Sequence, residues 1–409
     1  MQNKIQKQIK EASRLINLIS SKKLQPYIDA YKADFSANKL HTIIFLKLFL
    51  YSWIFNKDDI SLETISQNSH NPIFQQLAQL SSDFSVVKSS LSDRLTKIPY
   101  LLFQKLFEDL AQKSLKTLPT EQKYSKKVNQ LIKQAKVLDS TIITLSAKLL
   151  KTGYCINQGQ LNFKASMAIQ GKQIPVKALV LVDKMDYSED KALPKLFDFS
   201  QKNVIYIFDR GIQKLQTYVD ITNSGNYFVS RLKAKNYKTT KINPLPKDKE
   251  TDKLIITKDE FITFDKLEKE NNNKKQTFRL VTAILKKDNK QYQFIANLMD
   301  VEAIDITELY HYRWSIEIFF RFLKRQLHLE GLLSYSENGI KVHIYLTLIV
   351  FLLTWIYKEQ NNIKSFKQSR EQLKWSLLKI LMKKQLQVGI SIGAKMKNKT
   401  NILAKKRAL

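Results

Sequence analysis

The chain has 409 residues, enough for roughly two to four domains with cores of their own. It carries 68 Lys and Arg against 37 Asp and Glu, a formal net charge of +31, which points to a polyanionic partner, most simply nucleic acid. One cysteine, Cys155, excludes a disulfide framework and a cysteine-rich zinc site and fits a reducing cytosol.

The start, Met1-Gln-Asn-Lys-Ile-Gln-Lys7, leads into a polar amphipathic pattern with no signal region. Residues 1–130 read as helical, because apolar positions recur at three and four without strand-like alternation. Ser61-Leu-Glu63 and Ser89 to Leu95 look like helix starts or turn-and-helix corners. Lys88, Arg94 and Lys97 would give the second a basic edge, so this region is expected to be a helical DNA-binding domain.

From Lys136 the pattern changes. Val137 to Ile143 is short and β-branched, so a strand; Phe163 to Ile169 and Ile174 to Val182 read as two more, joined by a hairpin turn at Gln170-Gly-Lys-Gln173. Glu189 and Asp190 are expected to start a helix, with a role as acids supporting a nearby site as the alternative, and a buried strand Val204 to Phe208 follows that ends at Asp209-Arg210-Gly211. Tyr227 to Leu232 opens a β-rich stretch with charged loops at 244–253 and 268–275, and strands resume at Phe278 to Ile284 and Gln291 to Leu298. One long helix is expected from about Val301. The apolar run Ile344 to Tyr357 is short for a bilayer and reads as a core helix. Beyond Asn361 there are thirteen Lys or Arg and one acid, Glu371, with Leu373, Leu377 and Leu381 at helical spacing as a possible subunit seam. The domain divisions expected are 1–130, 131–222, 223–300, 301–360 and 361–409.

Chemistry concentrates in Tyr310-x2-Arg313-x3-Glu317-x6-Lys324. On a helix, steps of three, four and seven return to one face, so these four and Arg321 form a polar stripe. Phe319, Phe322, Leu323 and Leu327 are left for a packing face, and Trp314 is expected to join the core beside it. Asp139 sits in one apolar strand, Asp209 closes another, and Glu317 is on the stripe. An acid in such a setting is costly unless it is paired or ligates a metal. Three of them suit divalent ions handling a phosphodiester. His311, His328 and His343 flank the motif, but this chemistry needs no imidazole.

Leu138-Asp139-Ser-Thr-Ile142, Ile207-Phe-Asp209-Arg-Gly211 and the Tyr-Arg-Glu-Lys motif resemble the DDE transposases of bacterial insertion sequences, specifically the IS-four family that cuts and pastes through a hairpin. Asn297 to Val301, Glu308 to Trp314, Ser334 to Asn338, Ser188 to Leu193 and Tyr227 to Lys233 are similar to that family as well. The resemblance implies an α/β fold: an RNase H-like catalytic core interrupted by a mostly β insertion domain, flanked by the helical N-terminal domain and a helical, basic C-terminal region. It implies Asp139, Asp209 and Glu317 as the metal-binding triad, holding two Mg²⁺ ions that Mn²⁺ can replace. Arg313, Lys324, Arg321, Arg210 and Tyr310 would contact DNA. Family members stack a flipped base on an insertion-domain tryptophan. All four tryptophans here lie elsewhere, so Tyr227, Phe228 or Tyr237 would take that role.

The function expected is a transposase that binds terminal inverted repeats, cleaves, forms a hairpin and joins the ends to target DNA. The partners implied are double-stranded DNA and a second copy in a synaptic complex, with no membrane and a cytoplasmic, nucleoid-associated location. The alternatives are a domesticated DDE-type nuclease and a catalytically silent DNA-binding repressor.

Overall fold

The computed structural model describes residues 2–383 except 36, 57–59, 118–123, 146–153, 158–159, 172, 182–187, 234–235, 246–249, 252, 271–274 and 328. Before the first strand come α1 (Gln2–Leu18), α2 (Ser21–Ala30), α3 (Thr42–Phe55), α4 (Leu62–Ser69), α5 (Pro72–Ala78), α6 (Lys88–Lys97), α7 (Tyr100–Thr117) and α8 (Lys126–Gln134). The strands are β1 (Ala135–Leu145), β2 (Tyr154–Asn157), β3 (Gln160–Gln170), β4 (Ile174–Leu181), β5 (Ile205–Phe208), β6 (Tyr227–Arg231), β7 (Lys238–Ile242), β8 (Leu254–Thr263), β9 (Phe278–Leu285) and β10 (Lys290–Ala296). Among and after them lie α9 (Glu189–Ala192), α10 (Leu215–Asn223), α11 (Asp265–Glu270), α12 (Ala303–Tyr312), α13 (Trp314–Gln326), α14 (Glu337–Gln360) and α15 (366–383). Two compact units result: Met1–Phe107 with Gly331–Leu409, and Glu108–Glu330. The division cuts the expected 301–360 region at residue 331.

The first unit is helical. α14 is 24 residues long and apolar enough to cross a membrane by length and composition, yet it is buried along its length and packs against α1, α3 and α6. A helix apolar all round belongs in the middle of a bundle or in lipid, and here neighbouring helices cover it. Asn338, in its first turn, donates to the carbonyls of Leu95, Thr96 and Ile98 and accepts from the Tyr100 amide, so one side chain closes the C-terminus of α6. Arg94 is not part of a basic edge. It is buried, with Nη2 donating to Asp34 at 2.6 Å and to Thr42 at 2.9 Å, because the apolar positions of α6 turn it inward beside Leu91 and Leu95. Leu373, Leu377 and Leu381 of α15 are likewise buried in this unit's own core and offer no free subunit seam. His343 is fully buried against Phe49 and Trp53. The tail beyond 383 lies outside the described residues.

The second unit is built on a ten-stranded mixed sheet in the order β2-β3-β1-β5-β6-β10-β9-β8-β7, with β4 also paired to β3. β1, β3 and β4 are antiparallel neighbours, and the β3–β4 hairpin turns at Gly171, whose φ of +56° suits glycine. β5 runs parallel to β1, and β6 parallel to β5. The β-rich stretch expected at 223–300 therefore shares one continuous sheet with the strands before it, since β10 pairs with β6. Phe208, Tyr218, Phe228 and Phe278 stack into one buried cluster under β5, β6 and β9. Phe228 is fully buried there and cannot offer a face to a DNA base. Where one long helix was expected from Val301, there are two, with the break at Arg313. The backbone of Arg313 stays right-handed helical (φ −52°, ψ −32°), but its amide bonds the Tyr310 carbonyl three residues back, which tightens the turn.

Candidate active site

Asp139 lies on β1 just past the end of its parallel pairing with β5 (Val137 against Ile207), and Asp209 is the first residue after β5. The apolar run of each strand puts its acid at the edge of the buried sheet. Glu317 is in the first turn of α13, whose buried face is Ile316, Phe319, Phe320 and Leu323. α13 packs against β1 and α12 packs against β5 and β6, so all three acids meet on one side of the sheet. Phe322, expected on the packing face, is half-buried.

Arg313 occupies the middle of this arrangement. Its Nη1 lies 3.5 Å from Asp139 Oδ2, and its Nη2 donates to Glu317 Oε1. Only 8% of Arg313 is exposed. Its charge is held on by Tyr310, Glu317, Asp209 and Asp139 against the burial that would discharge it. The guanidinium also lies over the Tyr310 ring at 5.6 Å. Tyr310 in turn donates its hydroxyl to Asp209 Oδ1 at 2.8 Å and packs on Phe294, 4.9 Å between centroids.

The two aspartates are tuned in opposite directions. Burial pushes the Asp139 carboxyl up to about 6; the Ser140 amide and Arg313 offset part of this, while Glu189 and Glu317 add to it. Burial acts on Asp209 too, but the Arg210 amide, the Tyr310 hydroxyl and the Arg313 and Arg231 guanidiniums win and hold it below the usual carboxylate range. Among the described residues no three acidic, His or Cys side chains converge on one ligating point. The donors are nonetheless hard carboxylate oxygens, the kind Mg²⁺ and Mn²⁺ prefer, and the space between Asp139 and Glu317 already seats a cationic group.

The remaining expected residues divide. Lys324 points to β1, donating to the Ile142 carbonyl at 3.1 Å, and pairs with Glu330 at 2.8 Å. The side chains of Arg321 and Arg210 are exposed, while the Arg210 amide donates to Asp209 Oδ1 at 2.8 Å. Trp314 is not core: it is 50% exposed, and Ile318, one turn on, is 43% exposed. Trp314 shares the solvent side of α13 with Ile318 and Arg321, at steps of four and three, away from Ile316, Phe319 and Leu323, which is why the Trp314 expectation fails. His311 bonds Tyr124 and Lys253 on the outer side of α12. His343 belongs to the other unit, and His328 lies outside the described residues.

Two further residues belong beside the site. Arg231, the last residue of β6, comes within 3.9 Å of Asp209 and stacks on Tyr292 at 4.7 Å. The parallel β5–β6 register, Phe208 against Ser230, delivers it there. The signal available was a charged residue at the end of an apolar strand, Tyr227-Phe-Val-Ser-Arg231. Glu189, expected first as a helix start and second as an acid supporting the site, accepts from Ser140 Oγ at 3.2 Å.

A family model described as Transposase DDE domain matches residues 131–353. A protein from Synechocystis sp. named as a transposase for insertion sequence element IS4SA is 24% identical over 226 residues, 53% of this chain and 58% of that protein. A protein from Sinorhizobium fredii named as a transposase is 23% identical over 192 residues, 43% and 53% of the two chains. A third, from Geobacillus stearothermophilus and named as a transposase for insertion sequence element IS5377, is 30% identical over 80 residues, 19% and 21%. The chain thus spans little more than half the length of the first of these relatives.

Proposed function

The chain belongs to the DDE transposase family, and from that premise we propose that it is an insertion-sequence transposase whose Asp139, Asp209 and Glu317 cut and rejoin DNA phosphodiesters. The observation that carries this reading is one buried guanidinium, Arg313, that contacts Asp139 of β1 and Glu317 of α13 and acts by its charge on Asp209 at the end of β5. Asp139, Asp209 and Glu317 would hold two Mg²⁺ ions, or Mn²⁺. When bound, such ions polarise the phosphate and lower the pKa of an attacking water or 3′-hydroxyl. The RNase H-like core would be β1, β3, β4, β5 and β6 with α12 and α13, and β7 to β10 the insertion.

The chain's own groups supply the rest. Arg313, between Asp139 and Glu317, and Arg231, beside Asp209, present guanidiniums suited to the non-bridging oxygens of a scissile phosphate. Lys324, Arg321 and Arg210 extend that positive surface along the neighbouring backbone. Tyr310 holds the Asp209 carboxylate by its hydroxyl and so fixes which lone pairs face outward. The substrate would be the terminal repeats of the element and then target DNA, with hairpin formation between, in a dimeric synaptic complex. The net charge of +31 supports a DNA partner.

The test uses the terminal repeats read from DNA flanking the gene. Purified protein with Mg²⁺ should nick and hairpin such an end and join it to a plasmid. Asp139→Asn, Asp209→Asn and Glu317→Gln should each lose cleavage by about 10²–10³-fold or more, the loss of several kcal/mol of charge stabilisation, with end binding retained. Cleavage without joining would leave a nuclease; binding without any metal-dependent cleavage would leave a repressor.

A further inference from the structure

The catalytic side of the sheet has a support on its other face. Ser140 and Lys164 point away from α13, since the β1–β3 register sets Ser140 against Ser166 and Ile142 against Lys164, one residue out of phase with Asp139. On that face lies Glu189, the first residue of α9. Its Oε1 accepts from Lys164 Nζ at 2.8 Å, and its Oε2 accepts from Ser140 Oγ at 3.2 Å. Ser140 Oγ also meets Ser166 Oγ at 2.8 Å, and the Ser140 amide donates to Asp139 Oδ1 at 2.8 Å. One residue thus links Glu189 to the Asp139 carboxylate.

The same glutamate touches the other aspartate's loop. A Cβ at Gly211, two residues after Asp209, would lie 2.6 Å from Glu189 Cγ and 2.8 Å from its Cβ, so the turn rests directly on the glutamate stem. Asp190 holds the far side of that loop, accepting from the Gln213 and Lys214 amides at 2.6 and 2.9 Å. The Lys164 side chain is 4% exposed. The Glu189 side chain is 27% exposed. An ion pair that buries one of its charges adds little stability over apolar residues of like volume, so its presence asks for another reason.

We propose that Glu189, locked on Lys164, is a positioning residue that sets the placement of Asp139 against Asp209 for metal binding. The inference rests on the reading of those acids as the metal-binding triad. It acts through Ser140 on one strand end and through the Gly211 turn on the other.

The test measures Mn²⁺ binding to the full-length protein without DNA, by loss of the free-ion electron paramagnetic resonance signal, beside the melting temperature. Ser140→Ala should weaken Mn²⁺ binding by about 10-fold or more, in the range for a residue that orients a ligand, and Ser140→Thr should restore it by keeping the hydroxyl. Lys164→Met with Glu189→Met removes the pair without leaving a lone buried charge. That double variant should melt near wild type yet bind Mn²⁺ about 10–100-fold more weakly. Should it fail to fold, the two Ser140 variants decide. Wild-type Mn²⁺ affinity in Ser140→Ala, or in a folded double variant, overturns the proposal and makes the pair purely structural. Asp139→Asn is the control. If it binds Mn²⁺ as wild type does, the triad reading itself fails and this inference falls with it.

Discussion

Arg313 lies 3.5 Å from Asp139 and at the same time holds Glu317, so a single buried guanidinium is the counter-charge for two of the three acids. Taking it away leaves Asp139, Asp209 and Glu317 facing one another. Arg313→Ala should destabilise the metal-free protein, measured in EDTA, by about 2 kcal/mol, between the values for exposed and fully buried pairs. Added Mn²⁺ should then raise the melting temperature more in the variant than in wild type, because the ion takes over the neutralising role. Arg313→Lys should fall between, since an ammonium cannot span both carboxylates as a guanidinium does. Equal melting of wild type and Arg313→Ala in EDTA would remove Arg313 from this role.

The pH response should belong to Asp139. Its carboxyl, pushed up to about 6 mainly by burial, carries a proton below that value, and a metal ion must displace it. Mn²⁺ affinity should therefore rise as pH climbs through about 6 and level off above about 7, and Arg313→Ala should move the midpoint higher. Asp209, held low, is ionised throughout that range. Stability without metal follows the opposite slope. Between the ordinary value of 3.8 and about 6 the folded state holds a proton that the unfolded state has released, so stability falls as pH rises across that window. Asp139→Asn should flatten that part of the curve in urea titrations from pH 4 to 7. An unchanged slope would locate the titrating group elsewhere.

How much of this was legible depends on whether a signal is local. Val137 to Ile143 announced a strand because β-branched residues cluster there, and β1 covers it. Asp209 closing an apolar run was equally local, as was the spacing that brings Arg313 one turn before Glu317. The break at Arg313 was not, because the residue keeps helical dihedrals and no proline or glycine marks it. Trp314 lies on the Ile318 and Arg321 side of α13, off its buried stripe. Arg231 was missed, and Glu189 ranked first as a helix start, because each reaches the site by strand register or by a contact across the sheet, and nothing in their own segments names the partner. Arg94 misled because a cation in a helix reads as surface unless its acid, Asp34, sixty residues earlier, is known to be adjacent.

Arg279 and Asp259 tie the β-rich part of the sheet to the start of α12. Arg279 Nη2 and Nε bond Asp259 at 2.7 and 2.9 Å, and Nη1 donates to the carbonyls of Met299 at 3.3 Å and Val301. Both side chains are over nine-tenths buried. Arg279→Met leaves Asp259 buried and unpaired, so it should cost about 3–5 kcal/mol by chemical denaturation. Asp259→Leu in the same chain should recover most of that stability, while cleavage stays impaired if the carbonyl contacts at 299 and 301 set the entry of α12. Full recovery of both would reduce the pair to a replaceable core contact.

The basic C-terminal stretch can be divided at Lys383. Truncation after Asn361 would remove Leu373, Leu377 and Leu381, which are core residues of the helical unit, so it should lower the melting temperature and confuse any reading of DNA affinity. Truncation after Lys383 keeps residues 366–383 of α15, with its Gln8–Gln372 and Tyr357–Ser376 hydrogen bonds, and removes seven Lys or Arg, namely residues 384, 395, 397, 399 and 405–407. Its melting temperature should match the full chain. If those cations lie on phosphates, each charge removed from a phosphate lowers the slope of log K against log salt by about 0.9, so the shortened chain should bind DNA more weakly and with a flatter salt dependence. The comparison needs only a salt series by fluorescence anisotropy on one duplex. Equal slopes for the two chains would show that DNA affinity rests on residues before 384, and that the terminal cations serve something other than phosphate binding.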